Sequence, residues 1–218
     1  MRILGVDPGS RLTGFGCIDL IGNQIRPVTY GTLRLSNTGG RAEIPLEERL
    51  FKIFDGLSKI IVEHKPDVVV VEKVFFAKNA VSALKLGQAR GVVLLSARFH
   101  EVAVVEYSPS EVKSTVVGHG HADKDQVARF VQLLTGVKDF ATSDASDGLA
   151  LAICHALLSR GKAAPKGAQK SAYTAVHGDK GDPRDHLRSA SGQRRTKKRI
   201  SLAEAMGVGP DGKRIEKK

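Results

Sequence analysis

The chain has 218 residues, 41% of them apolar, and a formal net charge of +11, enough for one hydrophobic core and an appendage. No apolar run is long enough for a membrane span, and the N-terminus turns polar too soon for a signal peptide, so the expected location is cytoplasmic. Cys17 and Cys154 show no zinc or redox spacing and read as reduced core residues, and the lack of tryptophan argues against an aromatic platform for single strands.

In chain order, RILGVD (Arg2–Asp7) reads as a short buried strand ended by an acid, and Pro-Gly-Ser then turns the chain. The stretch GFGCIDLIGNQIRPVTYGTLRL holds two further strands with Gly22-Asn23 as the hairpin turn between them. Leu46, Leu50, Ile53, Phe54, Leu57, Ile60 and Ile61 recur at helical spacing until Pro66 stops them. DVVVVEKVF (Asp67–Phe75) is an unbroken valine run followed by Glu72, the pattern of a strand covered on both faces. AKNAVSALKLGQARGVVLLSARFHE predicts a long helix rich in small residues, and VAVVEY another buried strand. Three helices complete the series: SPSEVKSTVVG with Ser108 as cap, HADKDQVARFVQLLTG, and SDASDGLALAICHALLSRG, capped by Ser143 and ending at Gly161. This order predicts an α/β domain with a mixed five-stranded sheet flanked by helices over residues 1–160.

Charge divides the chain again. Residues 1–160 hold 19 basic and 17 acidic side chains, whereas residues 161–218 hold 15 and 6. The second segment is rich in Gly, Ser, Ala, Lys and Arg, with few large apolar residues. Too little surface can be buried to offset chain entropy, which predicts a disordered basic extension. Its cluster RRTKKR (Arg194–Arg199) fits a solvated linker and a nucleic-acid arm equally well.

Carboxylates are the notable chemistry. Asp7 and Glu72 end strands, and Asp144 and Asp147 share one side of the last helix through their i, i+3 spacing. Ligands of open α/β sheets bind beyond the carboxyl ends of the strands. If the first strand and the valine strand are parallel neighbours, Asp7 and Glu72 emerge side by side and the last helix adds the other pair. Four converging acids repel one another unless protons or cations intervene. An all-oxygen set favours Mg²⁺ or Mn²⁺, and two such ions serve phosphodiester cleavage. The alternatives are a turn-forming Asp7, a surface Glu72 and an N-terminal helix pair that offsets the helix dipole. Spacing alone leaves them open.

The segments GVDPGSRLTGFG, VVEKVFFAKNAVSALKLGQARGVVL, VKSTVVGHGHADKDQV and DASDGLALAICH, in order across residues 1–160, closely resemble the bacterial RuvC family of Holliday-junction resolvases. The resemblance implies an RNase H-like fold, a homodimer and Mg²⁺-dependent cutting of opposed strands of a four-way DNA junction. It further implies two Mg²⁺ ions per subunit, with Mn²⁺ able to substitute, and partnership with the RuvA–RuvB branch-migration complex. Its four catalytic acids and metal ligands fall on Asp7, Glu72, Asp144 and Asp147, of which the Asp144 position is not an acid in every member. The junction-stacking aromatic falls on Phe75, and functional lysines on Lys113 and Lys124.

Lys78, Lys85, Arg90 and Arg11 are candidate phosphate contacts. His119 and His121 lack a third partner nearby in sequence and read as loop residues. The small-residue helix is the expected dimer interface, with Ala89 and Gly91 at the contact. Two other classes fit parts of the pattern. An actin-like ATPase begins with a similar Asp-Gly turn but needs a second domain and a second phosphate loop. A non-catalytic junction-binding protein would not need four convergent acids.

Overall fold

Val68–Val71 are buried on both sides, and the sheet is built around them. The structure, a computed structural model, describes residues 1–35, 44–73, 79–140 and 142–160. Its five strands are β1 (Arg2–Asp7), β2 (Leu12–Ile21), β3 (Gln24–Arg34), β4 (Val68–Glu72) and β5 (Ala103–Tyr107). They lie in the order β3-β2-β1-β4-β5. The first three are antiparallel, whereas β1 pairs β4 and β4 pairs β5 in parallel. The expected mixed sheet and its hairpin at Gly22-Asn23 are both present: Ile21 pairs with Gln24 and Gly22 has φ +58.

Five helices are described: α1 (Leu46–His64), α2 (Ala80–Phe99), α3 (Pro109–Val117), α4 (Lys124–Thr135) and α5 (Ser143–Leu158). Strand alternation sorts the core into two layers. Leu4, Val6, Val69 and Val71 face α1 and α2, where Ile53, Leu57, Ala89 and Val93 meet them. Ile3, Val68 and Val70 face the other way, toward Leu149 and Ile153 of α5 and the apolar sides of α3 and α4. The same alternation sends Asp7 and Glu72 to the α5 side.

Local chemistry explains the ends of these helices. Ser108 and Glu111 form a reciprocal cap on α3, and Asp123 and Gln126 do the same on α4. Helix α5 starts one residue earlier than the Ser143 cap implied: Thr142 is the cap position, and its hydroxyl bonds Thr32 on β3 at 2.5 Å instead of its own helix. The helix ends at Leu158, ahead of Gly161.

Helix α5 lies unusually close to the sheet because glycines line the seam. A Cβ at Gly148 would stand 2.5 Å from the backbone carbon of Phe15 and 2.8 Å from the Gly16 nitrogen. One at Gly14 would run into the Asp144 carbonyl, and one at Gly5 into that of Gly148. Backbone meets backbone here, which no side chain can relieve.

Ala89 corrects an expectation. It is fully buried against the sheet, while Gly91 on the same helix faces open space. At the far side of the sheet, β3 is the outer strand. Its register against β2 jumps from Cys17↔Thr29 to Ile18↔Pro27, which leaves Val28 as an extra residue beside a proline.

Candidate active site

Parallel pairing of β1 and β4 runs from Ile3↔Val68 to Val6↔Val71, so Asp7 and Glu72 stand one step further on, side by side at the carboxyl ends. Asp147 comes over them from the second turn of α5. Asp7, Glu72 and Asp147 line one cavity of about 310 Å³, together with Lys113 of α3 and Lys124 of α4. Pro109, Val112, Val127, Ala150 and Leu151 complete the wall. Asp144 is not part of that wall, but its charge is felt by both Asp7 and Asp147.

Crowding shows in the acidities. Burial, then repulsion from Glu72, Asp147 and Asp144, pushes the Asp7 carboxyl up to about 7. Burial and the Asp147 charge raise Glu72, and burial raises Asp147. Opposing them is Lys124, whose Nζ stands 3.5 Å from Asp147 Oδ2. Lys113 also relieves Glu72.

No three acids, histidines or cysteines among the described residues already stand within joint reach of one cation. The donor set nevertheless fits a hard divalent ion. It offers carboxylate oxygens alone, they repel one another, and the Lys124 ammonium already supplies part of a cation's compensation.

A stability effect follows. Because folding lifts Asp7 from about 4 in the unfolded chain to about 7, the folded state holds the proton more tightly. Its contribution is full below about pH 4 and lost as pH rises to about 7. In chelator at pH 8, Asp7→Asn is therefore expected to melt several degrees above wild type, with the gap closing toward pH 4. Saturating Mg²⁺ should reverse the order. Calorimetry across pH, with and without metal, checks both.

The other expected contacts are scattered. Lys85 is half-buried on α2, away from the cavity wall. Arg90 points to Glu106 of β5 and forms an ion pair with it. Arg11 is exposed on the β1–β2 turn, and His119 and His121 are exposed loop residues. Phe75 and Lys78 lie outside the described residues, as do residues 161–218. Sequence reading missed the turn's anchors. Thr13 is fully buried and bonds the Gly9 carbonyl at 2.9 Å, while buried Arg49 of α1 donates to the Ser10 carbonyl at 3.2 Å. An arginine at helical spacing among apolar residues was the available signal.

A mixed sheet in this order, with acids gathered at the ends of its parallel strands and on the helix across them, is the architecture of an RNase H-like domain. Comparison with known proteins narrows the class. Residues 3–155 match the model of the family described as crossover junction endodeoxyribonuclease RuvC, and the chain belongs to that family. The RuvC protein of Syntrophotalea carbinolica is 49% identical over 156 residues, which cover 72% of this chain and 94% of the relative. That of Geobacter sulfurreducens is also 49% identical, with 72% and 92% covered. Among solved structures, T. thermophilus RuvC in complex with a Holliday junction substrate superposes with a TM-score of 0.67 at 33% identity, covering 73% of this chain and 95% of that one.

Proposed function

We propose that this chain resolves four-way DNA junctions by metal-assisted phosphodiester hydrolysis, through a nuclease domain at residues 1–160. One observation carries the proposal: three acids from β1, β4 and α5 share a single cavity with two lysines. Asp7, Glu72, Asp144 and Asp147 hold two Mg²⁺ ions, with Mn²⁺ an accepted substitute. When bound, these ions supply acidity to the attacking water and charge compensation at the departing 3′ oxygen, which leaves 5′-phosphate and 3′-hydroxyl ends. Lys113 and Lys124 face the scissile phosphate from the cavity wall and offset charge developing there. Phe75 stacks on an unpaired base, and Lys78, Lys85 and Arg11 meet phosphates. Arg90, held by Glu106, braces α2 against β5.

Two opposed cuts call for two copies. On α2, Val81, Leu84 and Leu95 are exposed large apolar residues, and Gly87 and Gly91 beside them open onto free space. This stripe is the proposed contact of a homodimer. Sedimentation velocity should show Leu84→Glu and Gly91→Glu as monomers. Ala89→Glu should unfold the protein instead, because its side chain enters the core. The RuvA–RuvB complex is the proposed partner that moves the junction, in the cytoplasm.

The test is nicking of synthetic four-way junctions with and without Mg²⁺, beside duplex and ATPase controls. Paired, symmetric, metal-dependent nicks support the proposal. Junction binding without cleavage at any metal concentration makes this a binding protein, and ATP turnover without nicking returns the actin-like alternative.

A further inference from the structure

Tyr107 ends β5, and three of its connections reach the proposed site. Its backbone pairs with Glu72 in register. Its carbonyl accepts the Lys73 N–H at 2.8 Å, which fixes the chain just after Glu72. Its side chain lies on the α5 side of the sheet, where the hydroxyl stands 2.9 Å from Nδ1 of His155. The next residue, Ser108, caps the helix that carries Lys113.

His155 occupies the same stripe of α5 as Asp144, Asp147 and Leu151, two turns beyond Asp147. It is 6% exposed. Its Nε2 is buried with no hydrogen-bond partner among the described residues, so the ring is oriented through Nδ1 alone. Burial favours the uncharged ring, pulling its pKa down. The residues before and after it on α5, Leu151, Ala152, Ile153 and Ala156, are buried and apolar and cannot hydrogen-bond the ring. A polar residue in such an apolar helix is costly unless its hydrogen bond is made.

We propose that the Tyr107–His155 pair is a positioning device: it sets the angular and axial placement of α5 relative to β4, and so the placement of Asp144 and Asp147 against Glu72. The glycine seam lets α5 approach β1 and β2 closely, with Leu149 seated against Gly16; apolar contact of this kind is non-directional and leaves the fine placement of the helix to its polar ties. Thr142–Thr32 holds the N-terminal end of the helix. Tyr107–His155 holds it from within, on the β4–β5 side. With both made, α5 is tied to opposite halves of the sheet. This inference rests on the four acids being the metal ligands.

The experiment uses full-length Tyr107→Phe, His155→Leu, the double variant and His155→Asn, whose amide can replace Nδ1. Three quantities are read well below the melting temperature: Mn²⁺ affinity without DNA, the cleavage rate at saturating junction, and the junction dissociation constant. For Tyr107→Phe and His155→Leu, we expect Mn²⁺ affinity and cleavage rate each to fall about threefold to tenfold, at or below the range for groups that bond a metal ligand directly. Junction affinity should hold. The double variant should be no worse than either single one, and His155→Asn should recover part of the loss. A lowered melting temperature with unchanged metal affinity and rate makes the pair merely structural and overturns the proposal, as do additive losses. Wild-type protein that binds no Mn²⁺ and cuts no junction removes the metal-site reading, and this inference with it.

Discussion

Asp7→Asn and Glu72→Gln are each expected to reduce junction cleavage by about a thousandfold or more while leaving junction binding intact or tighter. Both substitutions keep the shape of the side chain and remove one negative charge. Asp7 sits where the repulsion of three other acids converges, so its loss both weakens the hold on a divalent cation and eases approach of the phosphate backbone. The two consequences have opposite signs in two assays. Gel-shift titration in Ca²⁺ or chelator reads binding, and single-turnover nicking in Mg²⁺ reads chemistry. Loss of binding by a variant that melts normally would show the acids to be structural. Strong residual cutting would remove them from the metal site.

Gly148→Val is expected to be strongly destabilising. The Cβ alone would lie 2.5 Å from the Phe15 backbone, and a strand in the middle of a sheet cannot step aside. The helix must therefore lift. Overpacking of this kind costs about 3 kcal/mol, or about 6–12 °C of melting temperature for a domain of this size. Asp147 is the neighbouring residue, so lifting the helix also draws its carboxylate away from Asp7. The expected signature is a protein that is both less stable and, at temperatures where it is folded, weaker in Mg²⁺ binding. A variant that melts normally would mean that the sheet yields, contrary to the geometry. Ser146 is buried as well, but its hydroxyl bonds the Ser143 carbonyl within the same helix, so Ser146→Ala should be mild and serves as the control.

Much of this was legible before any coordinates. A run of valines can only be a strand with both faces covered, and an acid that ends such a strand must emerge at its edge. Asp7, Glu72 and Asp147 thus found one another by topology, since parallel neighbours bring their carboxyl ends together. What the sequence concealed was orientation within a helix of uniform small residues. Along α2, Ala89 and Ala97 are buried while Gly87 and Gly91 face outward, and periodicity distinguishes poorly among residues that differ so little in size. The Arg90–Glu106 pair was hidden for another reason: Glu106 lies on a strand sixteen residues away, and nothing local announces the pair. The displacement of the α5 cap to Thr142 depends on Thr32, more than a hundred residues earlier. The glycine seam was visible letter by letter, yet glycines in strands are equally at home in bulges and turns.

The outer strand β3 has a consequence for behaviour in concentrated solution. An unpaired strand edge is a template on which further chains can polymerise. Here the template is spoiled in one place twice over: Pro27 has no N–H to offer, and the surplus Val28 beside it throws the ladder out of step. Arg26 stands beside the fault and Arg34 at the end of the strand, so a second copy arriving edge to edge would meet like charge. Association by strand addition, which has no natural end, is thereby disfavoured.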